Sequence, residues 1–443
     1  MNADDFNDVQ RQGSGLTRRE AMIVGAAATP FLASSSQTVD AASDLEKSVG
    51  PILGHVDDET AMIWYRAASG GEYTAHLKRS DKSEVRSAKA VALPEHDLCM
   101  TWRFDQLEPN SEYTYEIAHQ GQVIAKSDKQ TIQTAPLSGR PARTVLGMGS
   151  CASSTQFFDV WSQIADQKID GLMLLGDTPY IDNREVSVNR LRHREFLSIP
   201  TLADLGASTP VWGTWDDHDF GGNDTDGKIS GKVGIRQVFT EYRAQLQFGD
   251  GEHGVYTKFR RGPVEVFMID PRYFSQTEAS PVAPDQPTCL GRTQWDWLCN
   301  GLLRSTAPFK ILATGMIWDD KQNGEKDDWG TYAHEREALF DFIGKNKIGG
   351  VVLIGGDIHV SRHLKYPMKE RIGYDLHQFI VSPLHDRVIP SLNVPHPALQ
   401  WGEPLKNMFL TIAADTTGKQ PTLDAHWIDR GGHVHQHVRI ELS

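Results

Sequence analysis

The 443-residue chain has few cysteines, a shortage of positive charge and no apolar run long enough to cross a membrane. Its 45 lysines and arginines are outnumbered by 58 aspartates and glutamates, which gives a net charge of −13. A long polyanion is held by clustered positive charge, so we expect no nucleic-acid binding in a basic groove. The apolar run at residues 21–33 is shorter than the about 20 residues that span a bilayer, and no second segment reaches that length, so we expect no transmembrane segment in the mature chain. The length favours two packed domains.

The N-terminal segment is typical of an export signal. Residues 15–20 read GLTRRE, and the apolar, alanine-rich run at residues 21–33 follows them. This order of features is similar to a twin-arginine signal peptide, which implies recognition by the Tat export machinery and a mature protein in the periplasm or outside the cell. We expect residues 1–41 to be removed by cleavage after Ala41. The alternative interpretation is an arginine-flanked helix of the mature fold.

The four cysteines have different expected roles. A disulfide can persist in an oxidising compartment, and Cys289 and Cys299, which are ten residues apart, are the natural pair. The spacing permits this bridge without requiring it. Cys99 also suits an inert buried thiol, whereas Cys151 belongs to a polar motif described below.

Residues 48–137 have the pattern of an all-β domain. Short stretches of alternating polarity are separated by glycine, aspartate, asparagine and proline, which predicts a β-sandwich. The predicted strands are Thr60–Ala67, Glu72–Arg79, Cys99–Leu107 and Glu112–Gln120. Residues 107–115, LEPNSEYTY, resemble the turn of fibronectin type III and related domains, in which a tyrosine hydroxyl ties a corner to the backbone. A connector rich in proline, glycine and arginine at residues 135–143 marks the domain boundary.

Residues 144–443 have the pattern of an α/β domain. Apolar stretches that end in polar residues alternate with segments of helical periodicity, which predicts a layered fold with helices on the sheets. The predicted strands are Val145–Met148, Gly171–Leu175, Val211–Thr214, Val264–Ile269, Lys310–Thr314 and Val351–Ile354. The predicted helices are Phe157–Gln167, Val186–Ile199, Ile235–Phe248, Thr293–Leu303 and His334–Lys345. Functional groups in such folds collect at the carboxyl ends of strands.

Four polar motifs follow predicted strands in this second domain. They are Gly149-Ser150-Cys151, Gly176–Tyr180, Thr214–Asp219 with Asn223-Asp224 behind it, and Gly355–His359. A glycine before an aspartate permits close backbone approach and sets a carboxylate at the mouth of the sheet, where it can bridge two cations. Aspartate and histidine recur together at two strand ends, and an aspartate and a tyrosine follow a third. This combination supplies the mixed oxygen and nitrogen ligands of a dinuclear hydrolase.

This set of motifs resembles the PhoD-type alkaline phosphatases, a branch of the calcineurin-like metallophosphatases. Further segments match in order, namely Ile269–Tyr273, Trp329–Arg336 and Val381–Leu384. The resemblance covers essentially the whole chain, including the twin-arginine leader and the N-terminal β-sandwich. It implies an α/β fold with a layered metallophosphatase β-sandwich core and flanking helices, preceded by a fibronectin III-like all-β domain.

The resemblance assigns a first metal position. It implies that Asp177 bridges two metal positions and that Cys151, Tyr180 and His359 complete the first. A thiolate and a phenolate together favour Fe³⁺, whereas an oxygen-rich carboxylate position suits Ca²⁺. The family's Fe³⁺ and Ca²⁺ are therefore consistent with these residue types, and ligand type alone leaves Zn²⁺ or Mn²⁺ open. Taken alone, Cys151 suits a buried thiol and Tyr180 a packing residue.

The resemblance also assigns a second metal position. Asp217 and Asp357 would serve this metal, with Asn223 a weaker candidate nearby. The strand at residues 311–316 ends without the histidine ligand that other branches of the superfamily place there, so oxygens would hold the second metal more loosely. His218 corresponds to the family's histidine beside the phosphoryl group and is a predicted catalytic residue.

Two further residues near the motifs have two interpretations each. Arg272 is the second predicted catalytic residue because it could grip a phosphate in bidentate fashion, but it could instead pair with Asp270 as a structural fork. Asp216 could support the neighbouring ligands through a hydrogen bond, or it could cap a helix.

The remaining acidic and histidine-rich segments have structural interpretations. The acidic stretch at residues 319–328 is interpreted as a solvated loop beside the site rather than a metal site. Four histidines of the C-terminal part lack ligand spacing and are interpreted as surface or core residues: His363, His377, His385 and His396. The histidines between His426 and His437 are interpreted as alternation in a terminal strand.

Together these observations favour an exported, metal-dependent phosphoric ester hydrolase. In this hypothesis a metal-bound hydroxide attacks small-molecule or polymeric phosphomonoesters, phosphodiesters or both, and His218 stabilises or protonates the leaving alkoxide. A phospholipase D-like or wall-polymer phosphodiesterase is the enzymatic alternative. The alternative from another class is a non-catalytic exported binding protein with a decayed site, against which the intact Asp177, Asp217 and His359 count. The sequence has no Gly-x-Ser-x-Gly motif, which disfavours a serine esterase.

Overall fold

The computed structural model describes residues 47–79, 83–154 and 159–442. The predicted twin-arginine signal at residues 1–41 lies outside the described residues. Within those residues, no helix combines the length and the apolar character that crossing a bilayer demands. The described chain forms four β-sheets, two in an N-terminal region and two in a C-terminal region.

The N-terminal region is a sandwich of two antiparallel sheets. One sheet has the order β1-β2-β5, with β1 at Val49–Val56, β2 at Ala61–Arg66 and β5 at Cys99–Phe104. The other has the order β4-β3-β6-β7, with β3 at Gly71–Arg79, β4 at Glu84–Ala92, β6 at Glu112–His119 and β7 at Gln122–Ala125, and β8 at Thr131–Gln133 pairs with β6. Trp102 of the first sheet and Tyr73 and Ile117 of the second share one core. The predicted β-sandwich is therefore present.

A tyrosine ties down the turn before β6, as the sequence pattern predicted. The backbone N–H of Glu108 donates a hydrogen bond to the hydroxyl of Tyr113 at 2.9 Å. The second tyrosine of this strand reaches outside the N-terminal region, since the buried hydroxyl of Tyr115 donates to the carbonyl of Ala207 at 2.8 Å. A buried hydrogen bond therefore connects the two regions.

Replacing Tyr115 by phenylalanine is expected to lower the free energy of unfolding by about 1 kcal/mol. The substitution removes only the hydroxyl, and it leaves the buried carbonyl of Ala207 without this donor. Urea denaturation of the purified variant measures the change. An unchanged transition midpoint would show that this hydrogen bond does not stabilise the contact between the regions.

The C-terminal region is built from two sheets that pack face to face. The first sheet has the order β11-β10-β9-β19-β20-β21, with β9 at Arg143–Gly149, β10 at Gly171–Leu175, β11 at Val211–Thr214, β19 at Met408–Asp415, β20 at Thr422–Asp429 and β21 at Val434–Glu441. The second has the order β12-β13-β14-β15-β17-β16-β18, with β12 at Thr257–Arg261, β13 at Val264–Met268, β14 at Phe309–Ala313, β15 at Val351–Gly355, β16 at Ser361–Tyr366, β17 at Leu376–Ile380 and β18 at Leu399–Glu403. Met148, Ile311 and Phe379 belong to the core between the two sheets.

Helices cover the outer faces of both sheets. They are α1 at Asp159–Asp166, α2 at Val186–Leu197, α3 at Pro200–Gly206, α4 at Lys232–Glu241, α5 at Gly291–Arg304, α6 at Ala333–Lys345 and α7 at Lys369–Ile372. Trp161 of α1 packs with Leu172 of the first sheet, and Leu298 of α5 packs with Leu312 of the second. The strands are thus buried on both faces, which explains their continuous apolar sequences. The predicted layered α/β fold is confirmed.

Parallel strands bring the predicted motifs to one edge of the sheets. In the first sheet β9, β10 and β11 run parallel, with Leu174 beside Gly149 and Leu175 beside Thr214. In the second sheet β13, β14, β15 and β17 also run parallel. The four motifs follow the carboxyl ends of β9, β10, β11 and β15, so their side chains lie where these strand ends adjoin.

The helix predicted at residues 235–248 is shorter in the structure and begins earlier. It ends at Glu241, and the residues that follow make other backbone contacts. The carbonyl of Ala244 accepts the N–H of His55 in β1 at 2.7 Å, and the side chain of Gln245 accepts the N–H of Gly213 in β11 at 2.6 Å. These long-range hydrogen bonds replace the last helical turns.

Candidate metal centre

Four of the predicted site residues have an uncommon backbone conformation. Their φ angles are positive, at 58° for Cys151, 52° for Asp177, 66° for Asp357 and 54° for His359. Residues other than glycine rarely adopt this left-handed region, and those that do cluster at functional sites. All four lie in the sharp turns after β9, β10 and β15, so the observation singles out these turns independently of side-chain chemistry.

Two glycines allow the turns to approach each other. Gly176 has a φ of 99°, and a Cβ atom added there would lie 2.5 Å from the backbone nitrogen of Asp216. A Cβ atom on Gly356 would lie 2.5 Å from the hydroxyl oxygen of Ser150. Only glycine fits at such separations, so the predicted use of glycine for close backbone approach is confirmed.

The first group of candidate ligands combines a thiol, a carboxylate and an imidazole. Ligand atoms of Cys151, Asp177 and His359 lie within 4.8 Å of one another, and all three residues are buried. Cys151 Sγ lies 3.5 Å from Asp177 Oδ2. The hydroxyl of Tyr180 lies 2.7 Å from His359 Nε2. The structure therefore brings together all four residues predicted for the first metal position.

The chemistry of this group fits a transition-metal ion. Burial raises the pKa of the Cys151 thiol well above its usual range, and the charge of Asp177 raises it further. Ser382 acts in the opposite direction, because its hydroxyl donates to Cys151 Sγ at 3.2 Å. A cation favours the thiolate, so a bound ion would offset the effects that keep this thiol protonated. Iron and zinc both accept the combination of sulfur, imidazole and oxygen ligands.

The second group of candidate ligands consists of carboxylates. Oxygens of Asp216, Asp217 and Asp357 lie within 4.8 Å of one another, and all three residues are buried. Asp177 and His218 form a further group with Asp217, which connects the two positions. Asp216 Oδ2 is buried, and no described group donates a hydrogen bond to it. Such an oxygen-rich site fits a hard cation such as Ca²⁺.

The guanidinium group of Arg272 pairs with Asp216 and not with Asp270. Its Nε donates to Asp216 Oδ1 at 2.7 Å, and its Nη2 bonds the same oxygen. Asp270 Oδ1 accepts the backbone N–H of Arg272 instead, at 2.9 Å. The predicted pairing of the Arg272 and Asp270 side chains is therefore wrong, and Asp216 is an ion-pair partner and not a helix cap. A role for Arg272 in binding phosphate stays a prediction.

Part of the acidic stretch at residues 319–328 reaches into the site, so its interpretation as a solvated loop is wrong for Lys321 and Asp327, whereas Asp320 is exposed. Asp327 is 3% exposed and Lys321 is 1% exposed. Lys321 Nζ lies 2.7 Å from Asp327 Oδ1 and 2.6 Å from Asp357 Oδ2. Burial raises the pKa of Asp327, but the charges of Lys321 and Arg272 outweigh burial and lower it overall.

The turn after β11 places the carboxylate of Asp224 next to the site. The backbone N–H of Asp224 donates to Asp217 Oδ2 at 2.8 Å, and its carboxylate forms a group with Asp217 and Asp327. Asp224 is exposed at the rim of the site, and partial desolvation together with the charges of Asp327 and Glu325 raises its pKa to about 7. Asn223 is exposed in the same turn, and its role as a ligand stays a prediction.

Two histidines flank Tyr180. The ring of His218 lies 4.5 Å from the Tyr180 ring between centroids, and its Nδ1 contacts Asp182 Oδ1 at 2.5 Å. The Nε2 of His385 lies 3.3 Å from the Tyr180 hydroxyl. His385 is buried in the site and was not predicted to belong to it. Its position directly after the matched segment Val381–Leu384 is the one sequence feature that could have indicated it.

A cavity of about 500 Å³ adjoins the carboxylates. The wall of the cavity next to the site is formed by Arg272, Asp224 and Asp327, and other parts of the wall are formed by Lys326 and Tyr332. Its size is within the range of small-molecule binding sites. The cavity can therefore accommodate the organic part of a substrate next to the candidate metal ligands.

The cysteines form no disulfide bond in the described part of the chain. All four are buried free thiols, so the expected pairing of Cys289 with Cys299 is absent. Both lie in the apolar layer between α5, α6 and the second sheet. Cys99 is a buried thiol, as one of its two interpretations predicted.

Sequence comparisons identify one family and one curated relative. The model of the family described as PhoD-like phosphatase matches residues 146–402. Alkaline phosphatase D of Bacillus subtilis (strain 168) is 26% identical over 328 residues, and the match covers 62% of this chain and 56% of that protein. The match therefore spans little more than half the length of this relative.

Structural comparisons agree on the fold. A structure of PhoD superposes with a TM-score of 0.73 and 18% identity, over 90% of this chain and 92% of that chain. Purple acid phosphatase PPD1 from yellow lupin (Lupinus luteus) seeds superposes with a TM-score of 0.65 and 13% identity, over 89% of this chain and 74% of that chain. The two facing sheets, their outer helices and the polar strand ends define a calcineurin-like metallophosphatase fold. Within that class, the chain belongs to the PhoD-like phosphatase family.

Proposed function

We propose that the mature chain is an exported, metal-dependent phosphoric ester hydrolase. The observation that carries this proposal is that Asp177 belongs both to the group with Cys151 and His359 and to the group with Asp217. A shared carboxylate between two ligand sets suits a pair of cations. Phosphoryl transfer depends on positioning and charge neutralisation more than on a protein nucleophile. Bound metal ions supply the positive charge that this acidic chain otherwise lacks.

The donor chemistry supports Fe³⁺ at the first position and Ca²⁺ at the second. The proposed ligands of the first are Cys151, Asp177, Tyr180 and His359. Those of the second are Asp177, Asp217 and Asp357, with Asn223 nearby. Zn²⁺ and Mn²⁺ are also compatible with these donors. When bound, cations at these positions acidify an attacking water and neutralise the phosphoryl oxygens.

His218 is proposed to donate a proton to the leaving alkoxide. The contact between its Nδ1 and the carboxylate of Asp182 orients the ring and favours the tautomer with the proton on Nδ1. A protonated ring can then donate from Nε2, which is the arrangement of a general acid. Arg272 is proposed to add positive charge at the wall of the cavity, beside the phosphoryl group.

The proposed substrates are small-molecule or polymeric phosphate esters whose organic part enters the cavity lined by Arg272 and Tyr332. The sequence of residues 15–33 supports export to the periplasm or beyond. A phospholipase D-like or wall-polymer phosphodiesterase would use the same chemistry on a diester. The rates on matched monoesters and diesters decide between these ester classes.

Metal removal is expected to lower hydrolysis by about a thousandfold, because the cations supply several kcal/mol of charge stabilisation. Protein recovered after export by its own leader is analysed for metals. Its rates on 4-nitrophenyl phosphate and bis(4-nitrophenyl) phosphate are measured before and after chelation and after metal is restored. We expect iron with calcium, and activity that returns with the metals. Protein without stoichiometric metal and without hydrolysis would overturn the proposal in favour of an exported binding protein.

A further inference from the structure

The ammonium group of Lys321 lies among the buried carboxylates of the site. Its side chain is 1% exposed, and its Nζ lies 2.6 Å from Asp357 Oδ2 and 2.7 Å from Asp327 Oδ1. Glu325 Oε2 is farther away, at 3.6 Å. Lysine is almost never fully buried unless it is paired, so these carboxylates explain why the side chain is tolerated there.

The loop that carries Lys321 is anchored at both ends. It follows β14, the strand whose end lacks a histidine ligand. The N–H of Trp318 donates to the side chain of Gln378 at 2.7 Å, and the rings of Trp318 and Trp329 stack with centroids 4.4 Å apart. The backbone N–H of Lys321 itself donates to Asp328 Oδ2 at 2.7 Å. The loop therefore fixes the position from which the ammonium enters the site.

Two built-in cations neutralise carboxylates of the site. Arg272 pairs with Asp216 and, at 3.4 Å, with Asp327, whereas Lys321 pairs with Asp327 and Asp357. Among the described residues, the hydrogen-bond partners of Cys151 Sγ are a carboxylate, a carbonyl and a hydroxyl oxygen, contributed by Asp177, Asp357 and Ser382. The two candidate metal positions thus differ: a lysine already neutralises a ligand of the second position.

We propose that Lys321 competes with the second metal ion for Asp357, so that the first metal is held tightly and the second is exchangeable. This inference rests on the proposed metal-dependent function. A divalent ion that takes both oxygens of Asp357 must displace an ammonium group 2.6 Å away, or remain close to its charge. In the absence of that ion, Lys321 neutralises the carboxylates and preserves the site. Calcium at the concentrations found outside cells would then fill the position after export.

The calcium affinity of the Lys321→Met variant tests whether Lys321 competes with the metal ion for Asp357. Methionine has a similar length and carries no charge. Calorimetric titration of calcium is compared between the wild type and this variant, both holding their first metal. We expect the variant to bind calcium about tenfold to a hundredfold more tightly, which is the range that changes around metal ligands typically produce. Calcium should also raise the melting temperature of the variant more than that of the wild type.

Lys310→Met is the matched control. Lys310 is also a buried lysine, but its Nζ donates to the carbonyls of Ala307 and Gly349. Its replacement also removes a buried lysine, but it leaves the charge beside Asp357 unchanged. We expect calcium affinity equal to that of the wild type in this control.

Several outcomes would overturn the inference. The competition is contradicted if Lys321→Met binds calcium as tightly as the wild type or more weakly. The proposed function still stands in that case, provided that the wild type hydrolyses phosphate esters. If Lys321→Met does not fold, Lys321→Gln replaces it. The wild type alone is also decisive: we expect a calcium Kd of about 10⁻⁴–10⁻³ M, typical of extracellular modules, and a Kd tighter than about 10⁻⁵ M contradicts the inference. A wild type with neither metal nor hydrolysis would instead refute the proposed function.

Discussion

Asp177→Asn is expected to lower kcat/KM for aryl phosphates by about a thousandfold or more. Asp177 is the carboxylate shared by the two ligand groups, and the amide that replaces it carries no charge. A loss of about 4 kcal/mol of charge stabilisation corresponds to this factor. Asparagine tolerates a positive φ well, so the backbone at 52° is preserved and the fold is not at risk. Metal content and steady-state rates are measured on the same preparation, and we expect both to fall.

Asp204→Asn is the control for this substitution. It makes the same chemical change at a residue of α3 that is 59% exposed and pairs with Lys129 on the surface. Its metal content and rates should equal those of the wild type. Normal metal content with full activity in Asp177→Asn would contradict the assignment of Asp177 as a bridging ligand.

The strand ends of the C-terminal region were predictable because local sequence determines them. The strands at Gly171–Leu175 and Val211–Thr214 have the predicted bounds, since each is an apolar stretch followed at once by polar residues. Parallel strands place their carboxyl ends at one edge, so the motifs could be expected to converge. The convergence of Cys151, Asp177 and His359 follows from this topology.

Contacts between residues that are distant in the sequence could not be predicted from local patterns. Asp327 belongs to a charge run of the kind that is usually solvated, but the fold buries it beside Arg272, which is 55 residues away in the sequence. Arg272 has an aspartate two residues before it, but the fold pairs it with Asp216, which is distant in sequence. The strand Met408–Asp415 was also missed, although it is paired with β9 in the middle of the first sheet. In each case the contact joins segments that no sequence spacing relates.

His218→Gln is expected to lower kcat by about a hundredfold to ten-thousandfold on esters with poor leaving groups. Glutamine retains a polar side chain of similar reach but cannot act as a general acid. A 4-nitrophenolate group departs without protonation, so the loss on 4-nitrophenyl phosphate should be much smaller than the loss on an alkyl phosphate. The ratio of the two losses measures proton donation separately from charge stabilisation, and metal content should remain at the wild-type level.

Asp182→Asn separates orientation of the ring from its chemistry. The Asp182 carboxylate contacts His218 Nδ1, and the side chain is 52% exposed, so its replacement should not disturb folding. We expect a smaller loss than in His218→Gln with the same dependence on the leaving group, since the imidazole remains present but is less well oriented. Equal losses on aryl and alkyl esters in His218→Gln, together with lost metal, would instead identify His218 as a metal ligand. A role of His218 as a metal ligand is the alternative to test, because His218 forms a candidate ligand group with Asp177 and Asp217.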